Sequence, residues 1–134
     1  MNLTNQVMAT KEAFVDFMKN YPSDTPLVML NILKFKETVT GGEESGKSAY
    51  NRYGKRVHPL MVKHGGEVLW AGTPQKTIIG DLDNQPDRIL LVKWPSKEAF
   101  VAFTTSEEYL PIGKDREMAL EYGALIASET MKFA

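Results

Sequence analysis

Asn31 stands in the middle of an apolar run, Leu27-Val28-Met29-Leu30-Asn31-Ile32-Leu33. A buried amide must find hydrogen-bond partners, whether neighbouring backbone, a fixed water or a ligand. Arg116 follows Tyr109 by seven residues, so in one continuous helix the two share a face about 10 Å apart. Together they would hold an anionic or carbonyl ligand by charge and phenol. The competing use of Arg116 is an ion pair with Glu107, Glu108, Glu67 or an acid of a second chain. His58, just before Pro59, faces a helix edge and is a candidate general base, although no acidic or hydroxyl group lies close to it in sequence. Asn31, His58 and Arg116 are therefore the candidate catalytic residues. Tyr50, Tyr53, Trp70, Trp94 and Tyr109 are the candidate substrate-binding walls, because aromatic faces suit flat ligands in an apolar pocket. Packing in a core or between subunits is the competing use of both tryptophans.

Other chemistries find less support. The segment Gly41-Gly42-Glu43-Glu44-Ser45-Gly46-Lys47-Ser48 fits the spacing of a phosphate-binding glycine loop and lies between a strand and a helix. Glu43 and Glu44 would put two carboxylates into the amide cradle that must hold a triphosphate, and like charges repel. Nucleotide binding at 41–48 is therefore the weakest functional alternative. No His-x-His or His-x-x-x-His spacing supports a metal site, and His64, at a helix end, suits a carbonyl-capping role. With no cysteine in the chain there is no thiolate nucleophile and no disulfide. No serine stands in a G-x-S-x-G turn. Neither a cofactor nor a metal is expected.

The elements that must position these residues follow from periodicity. Thr10 is a suitable N-cap for a helix with Phe14, Phe17, Met18 and Tyr21 on one side, stopped by Pro22-Ser23-Asp24. The pentapeptide KEAFV at 11–15 recurs at 97–101 without flanking likeness, which marks two similar helix starts, not a repeat. Residues 27–36 read as a strand with two apolar faces. A helix from about Ser48 to His64 carries Tyr50, Tyr53, Val57, Leu60, Met61 and His64 as one stripe, kinked or restarted at Pro59 and ended by Gly65-Gly66. Glu67–Ala71 and 76–79 read as one bent strand or a hairpin. Arg88–Trp94 is a second two-faced strand, and Pro95-Ser96 caps the next helix, which Ser106 restarts and Pro111 interrupts. The last strand is expected from about Ala124 to Met131.

The run Trp94-Pro95-Ser96-Lys97-Glu98-Ala99-Phe100, then Phe103, Ser106-Glu107-Glu108-Tyr109 and Arg116, resembles the C-terminal half of a bacterial family known as domain of unknown function 1330. Pro26 to Phe35 with Asn31, then Gly46, Tyr50, Tyr53, Pro59, Gly65-Gly66, Trp70 and Gly80, extend the resemblance over roughly 26–130. It implies an α+β, ferredoxin-like βαββαβ antiparallel sheet, here with an extra N-terminal helix, pairing as a dimeric α/β barrel. Residues 1–25 would be the helical extension and 26–134 the domain, one domain overall. Some barrel-forming oxygenases of the wider superfamily are similar in placing an Asn on the first strand. Its haem-degrading members take a histidine ligand from the second repeat's helix, whereas 97–122 contain no histidine. The resemblance thus points to a cofactor-independent oxygenase or isomerase acting on a small organic molecule, or alternatively to a non-catalytic binding or stress-related accessory protein.

Sixteen basic and seventeen acidic residues give a net charge of −1, so no basic field for nucleic acid or an anionic membrane is expected. No apolar run approaches the ~20 residues that span a bilayer, and the first residues lack a basic leader segment. The expected setting is the cytoplasm. The expected partners are a second copy of the chain, because an apolar sheet face left bare by the helices needs cover, and a small-molecule ligand.

Overall fold

The structure, a computed structural model, describes residues 6–133, with Leu82 described by its backbone alone. Residues 1–5 of the expected N-terminal extension thus lie outside the described part. The elements run α1 (Lys11–Asn20), β1 (Leu27–Phe35), α2 (Gly46–Lys63), β2 (Glu67–Gly72), β3 (Arg88–Trp94), α3 (Lys97–Thr104), α4 (Tyr109–Ala119) and β4 (Leu120–Ser128), with a 3-10 turn at Leu82–Asn84 between β2 and β3. The four strands form one antiparallel sheet in the order β2-β3-β1-β4. Two strand-helix-strand halves interleave in this way so that each first strand is central, which is the ferredoxin-like α+β arrangement.

Period-two alternation decides what each sheet face presents. Leu27, Met29, Asn31 and Leu33 of β1 pair across to Trp94, Val92, Leu90 and Arg88 of β3, and all face the helices. Val28, Leu30, Leu91, Ile89 and Ile126 face the other way, where no helix lies. The helix-side layer is the core: Leu27, Leu33 and Leu120 are almost fully buried, joined by Ala49, Tyr50, Tyr53, Val57, Leu60 and Met61 from the α2 stripe.

Both KEAFV segments begin helices, each opened by a hydroxyl cap. Thr10 Oγ1 accepts from the Ala13 amide and Ser96 Oγ from the Ala99 amide, both at 3.1 Å. The α2 helix starts two residues earlier than its apolar stripe suggested, because Ser45 caps it, and it continues through Pro59. A proline costs one backbone bond there, which the packed stripe on either side outweighs. Gly65 ends it at φ +87°, a conformation glycine adopts without strain. Pro111 likewise does not break α4: it occupies the first turn, where its missing N–H has no helical acceptor to lose.

Two strand readings need correction. Residues 76–79 are not a strand; β2 stops at Gly72, and Ile78 and Ile79 are 92% and 95% exposed. The last strand begins at Leu120, four residues before the expected Ala124, because Phe35 of β1 pairs with Leu120 across a bulge at Lys34/Phe35. Among the described residues no helix is long and apolar enough to cross a membrane.

Candidate functional site

Helices α2 and α4 pack closely on each other, and the segment before α1 runs beside β4, to which it is bonded at Gly123. The space between is a partly open cavity of about 1560 Å³. That exceeds the roughly 300–1,000 Å³ usual for a small-molecule site, so a ligand and solvent would share it. The strap that closes it is held by polar bonds. The Gly123 amide donates to the Gln6 carbonyl at 2.9 Å, and Arg116 Nη1 donates to the Val7 carbonyl.

Of the candidate site residues, Asn31, Tyr50, Tyr53, His58, Trp94, Tyr109 and Arg116 all line this cavity. Trp70 does not. A bulge between Val68 and Trp70 shifts the register so that Trp70 pairs with Leu91 and turns to the open sheet face, 54% exposed. A one-residue slip of this kind is invisible in an alternating pattern. Trp94 is 2% exposed and packs on Phe103 and Phe100 at ring separations of 4.8 and 5.5 Å, forming the apolar floor. His58 sits exposed on α2 at the rim. His64 is turned back on its own helix, with Nδ1 3.0 Å from the Leu60 carbonyl oxygen.

The polar points of the cavity are few. Asn31 Nδ2 donates to the Met29 carbonyl at 3.3 Å; among the described residues no donor reaches its side-chain oxygen. The hydroxyls of Tyr53 and Tyr109 lie 3.1 Å apart, joining α2 to the start of α4. Tyr109 and Arg116 belong to one helix, as their spacing requires. Arg116 pairs with none of the acids suspected within its own chain. Glu108 is taken by Lys63 at 2.8 Å, and no carboxylate among the described residues lies within 4.0 Å of Arg116. Desolvation pushes the Tyr50 hydroxyl up to about 12, partly countered by Arg116 and Arg88, and lifts Tyr53 well above the ordinary tyrosine value with help from Tyr109 and Tyr50. Both phenols are therefore neutral donors at physiological pH.

The sequence reading missed Arg88. Its guanidinium lies 5.0 Å from the Phe35 ring centre and 5.7 Å from that of Tyr50, and Nη1 donates to Asn51 Oδ1 at 3.1 Å. The signal was available, because Arg88 is two residues before Leu90 and so shares its cavity-facing side. Gly54 was missed too. It lines the cavity from α2, and a Cβ there would meet nothing within 4 Å.

The segment 41–48 forms no phosphate cradle. Glu44 accepts from Arg52 at 2.5 Å and from Ser48 at 3.1 Å, so a carboxylate already occupies the helix start. These bonds, the Arg52 bond first, hold Glu44 below its ordinary pKa. Gly46 is explained by packing, since a Cβ there would lie 2.2 Å from the Lys36 carbonyl oxygen. Arg52 and Arg56 also bind the buried carboxylate of Asp115, at 3.4 and 2.7 Å, which locks α4 to α2. Among the described residues no group of three His, Cys, Asp or Glu side chains is placed to hold a metal.

A four-stranded antiparallel sheet backed by helices on one face, with a cavity beneath one edge strand, defines a ferredoxin-like α+β protein. The chain belongs to the family described as domain of unknown function (DUF1330), whose model matches residues 44–130. The matched part begins after β1, so Asn31 lies outside it. The RPA0582 protein of unknown function from Rhodopseudomonas palustris is similar at 31% identity over 96% of this chain and 99% of its own, with a TM-score of 0.91. The crystal structure of the methylated RPA0582 protein aligns equally well, at 31% identity over 97% of this chain and 98% of its own and a TM-score of 0.91. A dimeric protein of unknown function and ferredoxin-like fold from Bacteroides fragilis NCTC 9343 shares the fold at 14% identity, covering 81% of this chain and 100% of its own, with a TM-score of 0.54. No curated protein matches.

Proposed function

We propose that this chain is a homodimeric small-molecule-binding protein, each protomer holding an organic ligand in the cavity between its helices and sheet. One observation carries the reading: Tyr50, Tyr53 and Tyr109 converge with Asn31 and Arg116 on a cavity floored by Trp94, Phe100 and Phe103. An apolar space with a few aimed polar groups is the usual form of a ligand site. The open sheet face supports the dimer, for it presents Val28, Leu30, Leu91, Ile126 and Trp70, with the exposed Ile78 and Ile79 beyond. The dimeric description of the B. fragilis protein favours the same assembly.

A cofactor-independent enzyme is the second reading, favoured by the Tyr53–Tyr109 hydroxyl pair. Phenol O–H groups placed together in an apolar cavity are suited to donate to a carbonyl oxygen as it becomes an enolate. In an isomerisation His58 would take the proton from the adjacent carbon and return it elsewhere on the same molecule, so that nothing else is consumed. An oxygenase would use dioxygen as the second substrate.

Mass spectrometry of the protein purified under native conditions tests the binding role: a co-purifying small molecule that Gly54→Phe excludes is expected. Retention of that molecule by the variant would refute the cavity as its site. Loss of turnover with unchanged ligand affinity in Tyr53→Phe would favour the enzyme; loss of affinity alone would favour the binder. Light scattering should give twice the 15.0 kDa chain mass, and a monomer at micromolar concentration would sink the dimer.

A further inference from the structure

Charge is distributed unevenly in this molecule. The whole chain carries 16 basic and 17 acidic residues, yet the cavity is lined by Lys11, Lys55, Arg88 and Arg116 against the single acid Glu117. Arg88 and Arg116 stand out among these, because both are partly buried and neither has a carboxylate within 4.0 Å among the described residues. The neighbouring Asp87 is already used by Lys34 at 3.4 Å and by the Phe35 amide at 2.9 Å. A cation with no carboxylate partner is available to an anionic ligand, and beside apolar walls that pairing is stronger than in open water.

The sheet register sets these two arginines on either side of one point. Leu33 pairs with Arg88 on β3 and with Gly123 on β4, and the Arg116 guanidinium lies over Gly123, where a Cβ would come within 2.8 Å of Nη2. Neighbouring strands are roughly 4.8 Å apart, so the two side chains are anchored about 10 Å from each other across β1. Tyr50 lies in the field of both, since each opposes the rise in its pKa. Arg116 gives one bond to the Val7 carbonyl and Arg88 one to Asn51. Each guanidinium has five N–H donors, so most remain for a ligand.

Resting on the proposed ligand site, we propose that its ligand is an organic anion, an apolar body bearing a carboxylate that Arg88 and Arg116 grip beside Tyr50. The planar fork of arginine matches a carboxylate in two parallel hydrogen bonds. The apolar body lies against the rings of Tyr53 and Tyr109, which continue from Tyr50 along the same cavity wall at ring separations of 5.3 and 6.4 Å.

The test is calorimetric titration of the full chain with two probes of equal apolar shape, 2-naphthoate and 2-naphthylmethanol, at low and high salt. Naphthoate is expected to bind about tenfold tighter or better, with the preference shrinking as salt rises. Arg88→Gln and Arg116→Gln should each remove about tenfold of naphthoate affinity and leave naphthylmethanol within about twofold. Arg116→Lys, which retains the charge, guards against misreading a loosened N-terminal strap. Gly54→Phe should abolish binding of both probes. Equal binding of the two probes, or arginine variants that weaken both alike, would overturn the anion assignment while leaving the cavity's binding role standing. Binding of neither probe at millimolar concentration would overturn both.

Discussion

Substitution of Gly46 by alanine tests whether the glycine-rich segment is a structural joint or a ligand loop. A Cβ at position 46 would lie 2.2 Å from the Lys36 carbonyl oxygen, 2.5 Å from that of Ala119 and 2.6 Å from the Lys36 nitrogen. All three are backbone atoms of the junction where β1, α2 and β4 meet, so no flexible side chain can yield. Relief requires separation by about an ångström, and two backbone bonds span that gap: Gly46 N–H to the Lys36 carbonyl and Lys36 N–H to the Ala119 carbonyl, both 2.9 Å. A buried backbone group left without its partner costs about 1–3 kcal/mol. The expected loss is therefore roughly 2–6 kcal/mol, against at most about 1 kcal/mol gained from alanine's helix propensity. Total stability is about 5–15 kcal/mol for a domain, so thermal unfolding should drop by roughly 10 °C or more. Gly42→Ala is the control, since its nearest contact is the Val39 carbonyl oxygen at 3.8 Å, and it should melt with the parent. A phosphate loop would reverse the emphasis, with stability kept and nucleotide binding lost in both variants. Melting of Gly46→Ala within about 2 °C of the parent would refute the packing argument.

Alkaline titration should leave Tyr50 and Tyr53 un-ionised past the ordinary tyrosine range, read as delayed phenolate absorbance that Tyr50→Phe partly removes. Because folding raises these pKa values, the unfolded chain loses its phenol protons first. Stability is then unaffected below pH 10 and falls between 10 and about 12. Tyr50 alone accounts for roughly 3 kcal/mol of that fall. Asp115→Asn should destabilise by about 1–3 kcal/mol in urea unfolding, since it removes the charge that pairs with Arg52 and Arg56; a change below about 0.5 kcal/mol would show the lock to be idle. Gly123→Ala should push aside the Arg116 guanidinium and free the Val7 carbonyl it holds, read as faster proteolysis within residues 6–10 with the rest of the chain still protected.

Most of the architecture was legible because it rests on local chemistry. Hydroxyl caps at Thr10 and Ser96, the stop at Gly65-Gly66, and two strands apolar on both faces are properties of short stretches, and short stretches are what a sequence displays. The side chains of the candidate site were legible for a related reason. A polar residue in an apolar strand, or tyrosines on a core-facing helix stripe, break a local pattern, and each buried polar atom there needs a hydrogen-bond partner from backbone, water or ligand. Asn31, Tyr50, Tyr53 and Tyr109 stood out in this way, and they meet in one cavity.

What the chain order alone could not decide was relative placement. The bulge after Val68 turns Trp70 from the cavity to the open face, because one extra residue inverts every later side chain in a strand. The offset between Lys34 and Phe35 moves the start of β4 to Leu120, a matter of pairing between segments some 85 residues apart. The likeness of 41–48 to a nucleotide loop dissolves only when Arg52 is seen to hold Glu44 and Lys36 to press on Gly46. Arg88 and Arg116, 28 positions apart, come to flank Leu33, which pairs with Arg88 on one side and on the other with Gly123, over which the Arg116 guanidinium lies. Residue type and period thus determine which side chains are available for chemistry. Strand register and the packing of helices on the sheet decide which of them meet, because those contacts depend on distances that no local pattern encodes.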